Sequence, residues 1–241
     1  MRLSVIVPVK NEAGNIASLV SELEAACLAL APFEVIYVDD GSTDGTAEAL
    51  AAARRGRPWL RVLSHDRTAG KAAGVHTGIA AARAPICALM DGDGQNDPAF
   101  LLPLLEAIEA GGARVGLAQG QRVGRKDGRL KTIQSRIANG VRVRILKDST
   151  RDTGCGYKLV RREAYQALPF FDGLHRFMPA LVSRAGYDVV HRDVIDRPRF
   201  TGTSKYGLFD RLWVGLLDLA GVWWLIRRKR VTPRVTDITG A

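Results

Sequence analysis

Cysteine is scarce and unpatterned. The three thiols, Cys27, Cys87 and Cys155, are odd in number and widely spaced. Neither a disulfide framework nor a cysteine-ligated metal has that spacing, so the chain reads as reduced and cytosolic. Histidine offers no more. His65, His76, His175 and His191 are scattered, with no ligand spacing and no evident nucleophile partner, and each reads as structural. No run of 18 uninterrupted apolar residues occurs, so a clean transmembrane helix is not expected. The apolar stretch 2–9 is too short for a signal peptide, lacks a small-residue cleavage site and runs into Pro8. The glycines form neither G-x-G-x-x-G nor a Gly-Lys-Ser/Thr phosphate loop, which excludes the usual dinucleotide and P-loop fingerprints. No repeat of solenoid period is visible. Bases and aromatics are not interleaved in a known module, so nucleic acid is not an expected partner.

What is present is a chain of 241 residues, 46% hydrophobic, enough for a full core. Lys+Arg number 35 against 25 Asp+Glu, a net +10 that implies an anionic partner such as a phosphorylated substrate or an acidic membrane surface. Short β-branched runs at 3–7, 33–38, 60–64, 86–90 and 115–119 predict buried strands. Between them lie helical patterns: Ile16, Leu19, Val20, Leu23, Cys27 and Leu30 share one face, 47–54 reads helical, and 70–82 is alanine-rich. Gly74 and Gly78 cost helix propensity there, which suggests close packing or backbone pressed near a ligand. Strands alternating with helices mean a mostly parallel, doubly wound α/β sheet. The second part is more basic. A loop and a basic helix are predicted over 122–147, a glycine-bearing loop over 152–157, a short strand over 158–160, a helix over 174–185 and a strand over 188–194.

The chemistry centres on Met90-Asp91-Gly92-Asp93-Gly94-Gln95-Asn96-Asp97-Pro98. It follows a strand and precedes a helix whose N-cap is Asp97, with Pro98 at N1 and Gly111 past the end. Carboxylates at the C-terminal end of a strand stand where open α/β sheets hold ligands. On extended chain Asp93 and Gln95 would point the same way. Their oxygens suit Mg²⁺ or Mn²⁺, with substrate phosphates completing the shell. The bland reading is ordinary turn chemistry. Other strand ends add Glu12, Asp39 and Asp40, and the later loops collect Arg122, Arg125, Lys126, Lys131, Arg136, Arg199 and Lys205. Singly these are caps and a solvated face. Together they fit displacement of a diphosphate leaving group.

The tail, 212–226, would be about 22 Å long as a helix, short of the roughly 30 Å hydrocarbon core, and Asp218 interrupts it. Trp213, Trp223, Trp224 and the run Arg227-Arg228-Lys229-Arg230 suit a headgroup boundary of anionic lipid. A helix lying in the membrane surface is expected, against the alternative of a helix packed on the domain or on a partner.

Five motifs together, VIVPVKNE (5–12), VDDGSTDGT (38–46), MDGDGQNDP (90–98), DTGCGYKLVRR (152–162) and RFTGTSKY (199–206), resemble the family-two glycosyltransferases of GT-A fold. The nearest likeness is to polyprenyl-phosphate glycosyltransferases of the dolichol-phosphate mannose synthase type. The tail is similar to that of a bacterial subgroup that includes dodecaprenyl-phosphate galacturonate synthases. The resemblance implies a GT-A domain over 1–206 and a membrane-associated helix and basic tail over 207–241. It implies that Pro8, Lys10, Glu12 and Asp39 hold the donor's base and ribose, although an aromatic is common at position 10. Asp91 and Gly92 would lie along the donor, Asp93 and Gln95 would hold the metal, and Arg199 and Lys205 would close over the diphosphate. Arg122, Lys131, Ser135 and Arg136 would receive the acceptor phosphate, Lys131 replacing a usual arginine and its bidentate grip.

The implied reaction moves a sugar from a UDP- or GDP-linked donor to a polyprenyl phosphate at the cytoplasmic face of the inner membrane, the enzyme being peripheral or monotopic. A lipid monophosphate is already anionic, so its oxygen can attack without a general base, and direct displacement inverts the anomeric centre. Two alternatives stay open. One is transfer to a glycan or lipid hydroxyl, which needs a carboxylate base, Asp152 being the candidate. The other is a non-catalytic membrane adaptor of the same fold.

Overall fold

The computed structural model describes residues 1–123, 139–198 and 208–228, with the side chains of the last helix described from 217. In chain order the elements are β1 (Leu3–Val9), α1 (Ala13–Cys27), β2 (Phe33–Asp39), α2 (Thr46–Ala53), β3 (Leu60–Ser64), α3 (Lys71–Ala81) and β4 (Ile86–Leu89). There follow α4 (Leu101–Ala110), β5 (Val115–Arg122), α5 over 139–146, β6 (Lys158–Arg161), α6 (Arg162–Gln166), α7 (Leu174–Ala185), β7 (Asp188–Val194) and α8 (Leu208–Arg227). Arg122, expected in a loop, is the last residue of β5, whose ladder with β7 carries the strand beyond its apolar part.

The seven strands form one sheet in the order β3-β2-β1-β4-β6-β5-β7. The pairs β1–β2, β2–β3, β1–β4 and β5–β7 are parallel, and β6 lies antiparallel between β4 and β5. The sheet is therefore mostly parallel, as expected. Alternation along β1 divides the core. Leu3, Val5, Val7 and Val9 face the layer of α1, α2 and α4, while Ile6 joins Val75 and Ile79 of α3 with Phe177, Met178 and Leu181 of α7 on the other side. Burying such a strand on both faces requires an apolar run rather than a half-polar alternation. The edge strand β7, with Asp188, His191, Arg192 and Asp193, is polar, as an edge facing water should be.

The predicted face of α1 is the buried one: Ile16, Leu19, Val20, Leu23 and Cys27. Residues 13–30 also have the length and mean hydropathy of a membrane span, but that apolar stripe is the core face of α1. Asp97 caps as expected, accepting from the Ala99 N–H at 3.0 Å ahead of a 3₁₀ turn and α4. The glycines of α3 serve close packing. A Cβ on Gly78 would overlap Ile6 Cγ2, and one on Gly74 would stand 2.9 Å from Pro8 Cβ.

The helix α8 is docked rather than free. Val222 is buried, Leu219 and Ile226 pack on the α7 side of the core, and Arg184 Nε donates to the Leu225 carbonyl at 2.8 Å. Its outer surface shows Leu217, Trp223 and Trp224, with the guanidinium of Arg227 4.0 Å from the Trp223 ring and that of Arg228 5.8 Å from Trp224.

Candidate active site

The chain leaves β1 for β2 on one side, and later returns across β1 to place β4 on the other. The C-terminal ends of β1 and β4 thus flank a topological switch point, the crevice where open α/β sheets bind ligands. Pro8 and Lys10 lie at one lip and Asp91 and Gly92 at the other. Gly92 packs so tightly on Val9 that a Cβ there would overlap Val9 Cγ1.

Two turns form the first wall. Asn11, in the left-handed region at φ 54°, donates its N–H to Ser42 Oγ at 2.9 Å and accepts from the Thr43 N–H at 2.8 Å. The Glu12 N–H donates to Thr46 Oγ1 at 2.9 Å, and Glu12 Oε2 accepts from Asn15 Nδ2 at 2.5 Å. The segments VKNE and DGSTDGT are therefore one interlocked structure that sets the turn after β1, with Lys10 and Glu12, against the turn that follows Asp39. Asp39 ends β2, is buried, and accepts from the Ser42 N–H at 3.1 Å. Its neighbour Asp40 has a different task. It accepts from the Ala69 and Gly70 N–H groups at 2.8 Å each and meets His65 Nδ1 at 2.8 Å, tying the loop before α3 to β2. Burial raises its carboxyl pKa, but the His65 contact and the two backbone donors win and hold it below the ordinary value. His65 reaches Thr77 through its other nitrogen, so it is structural as expected.

The motif after β4 does not run extended. Residues 92–94 turn, with Gly94 at φ 76°, and the Gln95 N–H donates to Asp93 Oδ1 at 3.1 Å. The two proposed ligands are thus joined by an Asx turn, not by strand alternation. Asp93 is buried; Gln95 is half-buried. Asp91 points elsewhere. Its carboxylate is ion-paired with Lys71, and its N–H donates to Asn96 Oδ1 at 2.9 Å. Burial pushes the Asp91 pKa up, and the Lys71 ammonium overcomes that and lowers it. Gly156 of the loop before β6 sits under this pair, where a Cβ would lie 2.5 Å from Asp91 Oδ2 and 2.9 Å from Asn96 Oδ1.

Among the described residues no three His, Cys, Asp or Glu side chains gather as a metal cage. The donors at 93 and 95 are hard oxygens with a single carboxylate. That set fits a divalent ion whose shell is finished by phosphate and water, and does not fit an ion held by protein alone.

Opposite stands Arg122. It grips Asp152 with two contacts, 2.6 and 2.9 Å, and Asp196 with a third at 3.2 Å. Burial alone would lower its pKa, but these carboxylates win and raise it above the ordinary guanidinium value. Asp196 also accepts from Asn96 Nδ2 at 3.3 Å, linking the Arg122 cluster to the metal motif. Lys131, Ser135, Arg136, Arg199 and Lys205 lie outside the described residues.

Several site residues escaped the sequence reading. Lys71, Lys158, His175 and Arg176, with Asp91 and the loop 153–156, line a pocket of about 170 Å³ behind the Asp91 lip. One signal was available: Lys71 sits in the first turn of α3, where a cation opposes the helix dipole. Nothing local marked Lys158, a buried lysine at the start of a short strand. His175, expected to be structural, borders the pocket; His76 and His191 are engaged with Tyr165 and Phe170 and with Thr150 respectively.

A sheet of this order, with acids on its switch-point edge, has the architecture of a GT-A glycosyltransferase. Glucosyl-3-phosphoglycerate synthase from Mycobacterium tuberculosis in complex with UDP shares the fold at a TM-score of 0.69, with 20% identity over 93% of this chain and 79% of that one. The same enzyme with Mn²⁺, UDP-glucose and phosphoglyceric acid matches at a TM-score of 0.65 and 19% identity, with the same coverage. The family model Glycosyl transferase family 2 matches residues 4–168, and the chain belongs to that family. Dodecaprenyl-phosphate galacturonate synthase of Rhizobium johnstonii is 36% identical over 95% of this chain and 68% of its own length. Undecaprenyl-phosphate 4-deoxy-4-formamido-L-arabinose transferase of Edwardsiella ictaluri is 31% identical over 86% of this chain. The chain spans 63% of the length of that relative.

Proposed function

We propose that the protein is an inverting, metal-dependent glycosyltransferase that moves a sugar from a nucleotide sugar to a polyprenyl phosphate. The observation that carries this is the rim at the switch point: Asp39, Asp91 and Asp93 line one side and the Arg122 cluster the other, joined through Asn96 and Asp196. The relatives named for polyprenyl-phosphate transfer support the acceptor, and the neighbour seen with Mn²⁺ and UDP-glucose supports the donor and the ion.

In this reading Pro8, Lys10, Glu12 and Asp39 hold the base and ribose, and Asp91 and Gly92 orient the donor along the β4 lip. Asp93 and Gln95 hold Mg²⁺ or Mn²⁺, which neutralises charge on the departing diphosphate. Arg199 and Lys205 close over that diphosphate. Arg122, with Lys131, Ser135 and Arg136, takes the acceptor phosphate, exchanging its longer contact to Asp196 while Asp152 keeps the guanidinium oriented. The acceptor oxygen forms a bond to the anomeric carbon as the bond to the nucleoside diphosphate breaks on the opposite face. No base is required, and the engagement of Asp152 by Arg122 supports that reading over transfer to a hydroxyl.

The outer face of α8 supports peripheral or monotopic attachment to anionic lipid at the cytoplasmic face of the inner membrane. Exposed indoles suit the headgroup boundary and the arginines beside them suit its charge. The GT-A region 1–206 would then be held at the surface by 207–241.

Incubation with Mg²⁺ or Mn²⁺, polyprenyl phosphate and a panel of labelled UDP- and GDP-sugars tests the proposal. A lipid-linked sugar that disappears with chelator is expected. Failure with every donor sinks it. Equal transfer to a non-phosphorylated acceptor favours the hydroxyl alternative, and wild-type cellular function in an Asp93→Ala strain favours the adaptor.

A further inference from the structure

A residue outside the proposed ligand set grips the metal motif. Arg197 lies just past the end of β7. Its backbone N–H donates to the Gln95 carbonyl at 2.9 Å, and its Nη2 donates to the Gly94 carbonyl at 3.3 Å. The same Nη2 donates to Glu22 Oε2 of α1 at 2.6 Å, and Nη1 stands 3.9 Å from Asp97 Oδ2. Two successive carbonyls of the turn are thus taken by one residue. Its own charge is met by two acids, so it is compensated beside a site meant for a cation. The neighbouring Asp196 forms an isolated bridge with Asn96, which brings the segment after β7 against the motif.

The sequence shows why such a grip matters. Asp93 stands between Gly92 and Gly94, and glycine gives a chain more freedom to lose on ordering than any other residue. Gly92 is held by its packing on Val9. Gly94, at φ 76°, has no side chain to hold it, and its carbonyl is what Arg197 takes. The other end of that contact is firm. Glu22 rides on α1, whose Leu19, Val20 and Leu23 are buried in the core. The guanidinium therefore ties a packed helix to a glycine-flanked turn. Ordering the turn before a ligand arrives removes that cost from binding.

We infer that Arg197 is a positioning residue for the divalent ion: anchored on Glu22, it fixes the backbone at Gly94 and Gln95 so that Asp93 and Gln95 are set to take the metal together with the donor's diphosphate. The inference rests on the proposed metal-dependent transfer and adds to it a residue that acts through the ligands. The same helix supplies a control. Glu24 of α1 pairs with Arg57 of the loop before β3 at 2.9 Å, and the side-chain exposures of the two pairs match, 28% and 34% against 29% and 32%. A purely structural staple would make the two arginines equivalent.

Calorimetry with UDP and with GDP, each with and without Mn²⁺, tests it on the full chain. The readout is the factor by which Mn²⁺ tightens nucleotide binding. Arg197→Met should cut that factor about tenfold, the worth of one hydrogen bond from a charged group, while metal-free affinity moves less than about twofold. Arg57→Met should lose comparable stability in urea and leave the factor unchanged. Glu22→Gln should lose part of the effect, and adding it to Arg197→Met should change nothing more, because both act along one path. Arg197→Lys should fall between wild type and Arg197→Met. Where circular dichroism shows Arg197→Met unfolded, Glu22→Gln and Arg197→Lys carry the test. An unchanged factor in the folded Arg197 variants overturns the inference, as does an equal loss in Arg57→Met, and either result leaves glycosyl transfer intact. A wild type that binds no nucleotide, or binds it without regard to Mn²⁺, fails earlier: it removes the metal reading of Asp93 and Gln95 itself.

Discussion

The two halves of the sheet handle charge in different ways. On the β1–β4 side, four carboxylates are held by backbone N–H groups, Asp39 by Ser42, Asp40 by Ala69 and Gly70, Asp44 by Thr46, and Asp93 by Gln95, although Asp91 pairs with Lys71 and Glu34 with Arg61. On the β5–β7 side, charges are held by one another: Arg122 by Asp152 and Asp196, Arg142 by Asp148, Arg151 by Asp193. Backbone donors are fixed by the fold and carry no formal charge, so they orient a carboxylate without themselves neutralising it. Mutual pairs neutralise themselves and must exchange a partner to engage one. In the proposed reaction the first half meets the cation and the nucleotide, and the second trades a carboxylate for a phosphate.

Substitutions can sharpen or break that contrast. Asp93→Ala should have the largest effect, a loss on the order of 10³-fold in transfer rate, the size seen when a group that stabilises developing charge is removed. Metal titration should show the same variant failing to bind Mn²⁺ with nucleotide; normal Mn²⁺ binding would remove Asp93 from the ligand set. Asp40→Ala should cost about 3 kcal/mol of stability in urea unfolding, because two N–H donors and a histidine lose a buried partner. Its pH dependence has a definite sign. The folded-state pKa of Asp40 lies below 3.8, so its stabilisation is complete above the unfolded-state value and is lost as pH falls through the folded one. The gap between wild type and variant should therefore close as pH falls into acid.

Arg122→Lys should cost less, about 2 kcal/mol, by losing the two-pronged contact with Asp152 while keeping the charge. It should also raise the KM for polyprenyl phosphate more than that for the donor. A stability loss as large as that of Asp40→Ala would erase the distinction between backbone-held and mutually held charge. The smallest effect should come from Trp224→Ser. That side chain is 53% exposed, so unfolding should be unchanged while affinity for anionic vesicles falls about tenfold, the worth of one partly buried aromatic. Deleting α8 is a poorer test, because Val222 fills the core beside α7 and its removal would expose that surface.

Legibility followed the range of the interaction. The strands β3 and β7, the helix α7, the buried face of α1 and the Asp97 cap were readable to the residue, since each depends on periodicity or on a contact two residues away. The acids of the rim were readable as motifs because the turns that hold them are local. The antiparallel insertion of β6 was not, for a four-residue strand, Lys158-Leu159-Val160-Arg161, carries no direction. Nor was the division of labour between Asp39, the last residue of β2, and Asp40, just past its end.

By itself, the sequence determined the alternating α/β layout, the strand-end acids, the oxygen-only donor pair and an aromatic, basic tail, because these rest on spacing of a few residues and on composition. Only the tertiary structure decided that Arg122 stands between Asp152 and Asp196, 30 and 74 residues away. It alone placed Lys71, Lys158, His175 and Arg176 around one pocket and docked α8 on α7. The physical reason is that an ion pair or a pocket depends on where separate strands and helices end in space, and that is fixed by packing of the whole sheet rather than by any neighbouring residue.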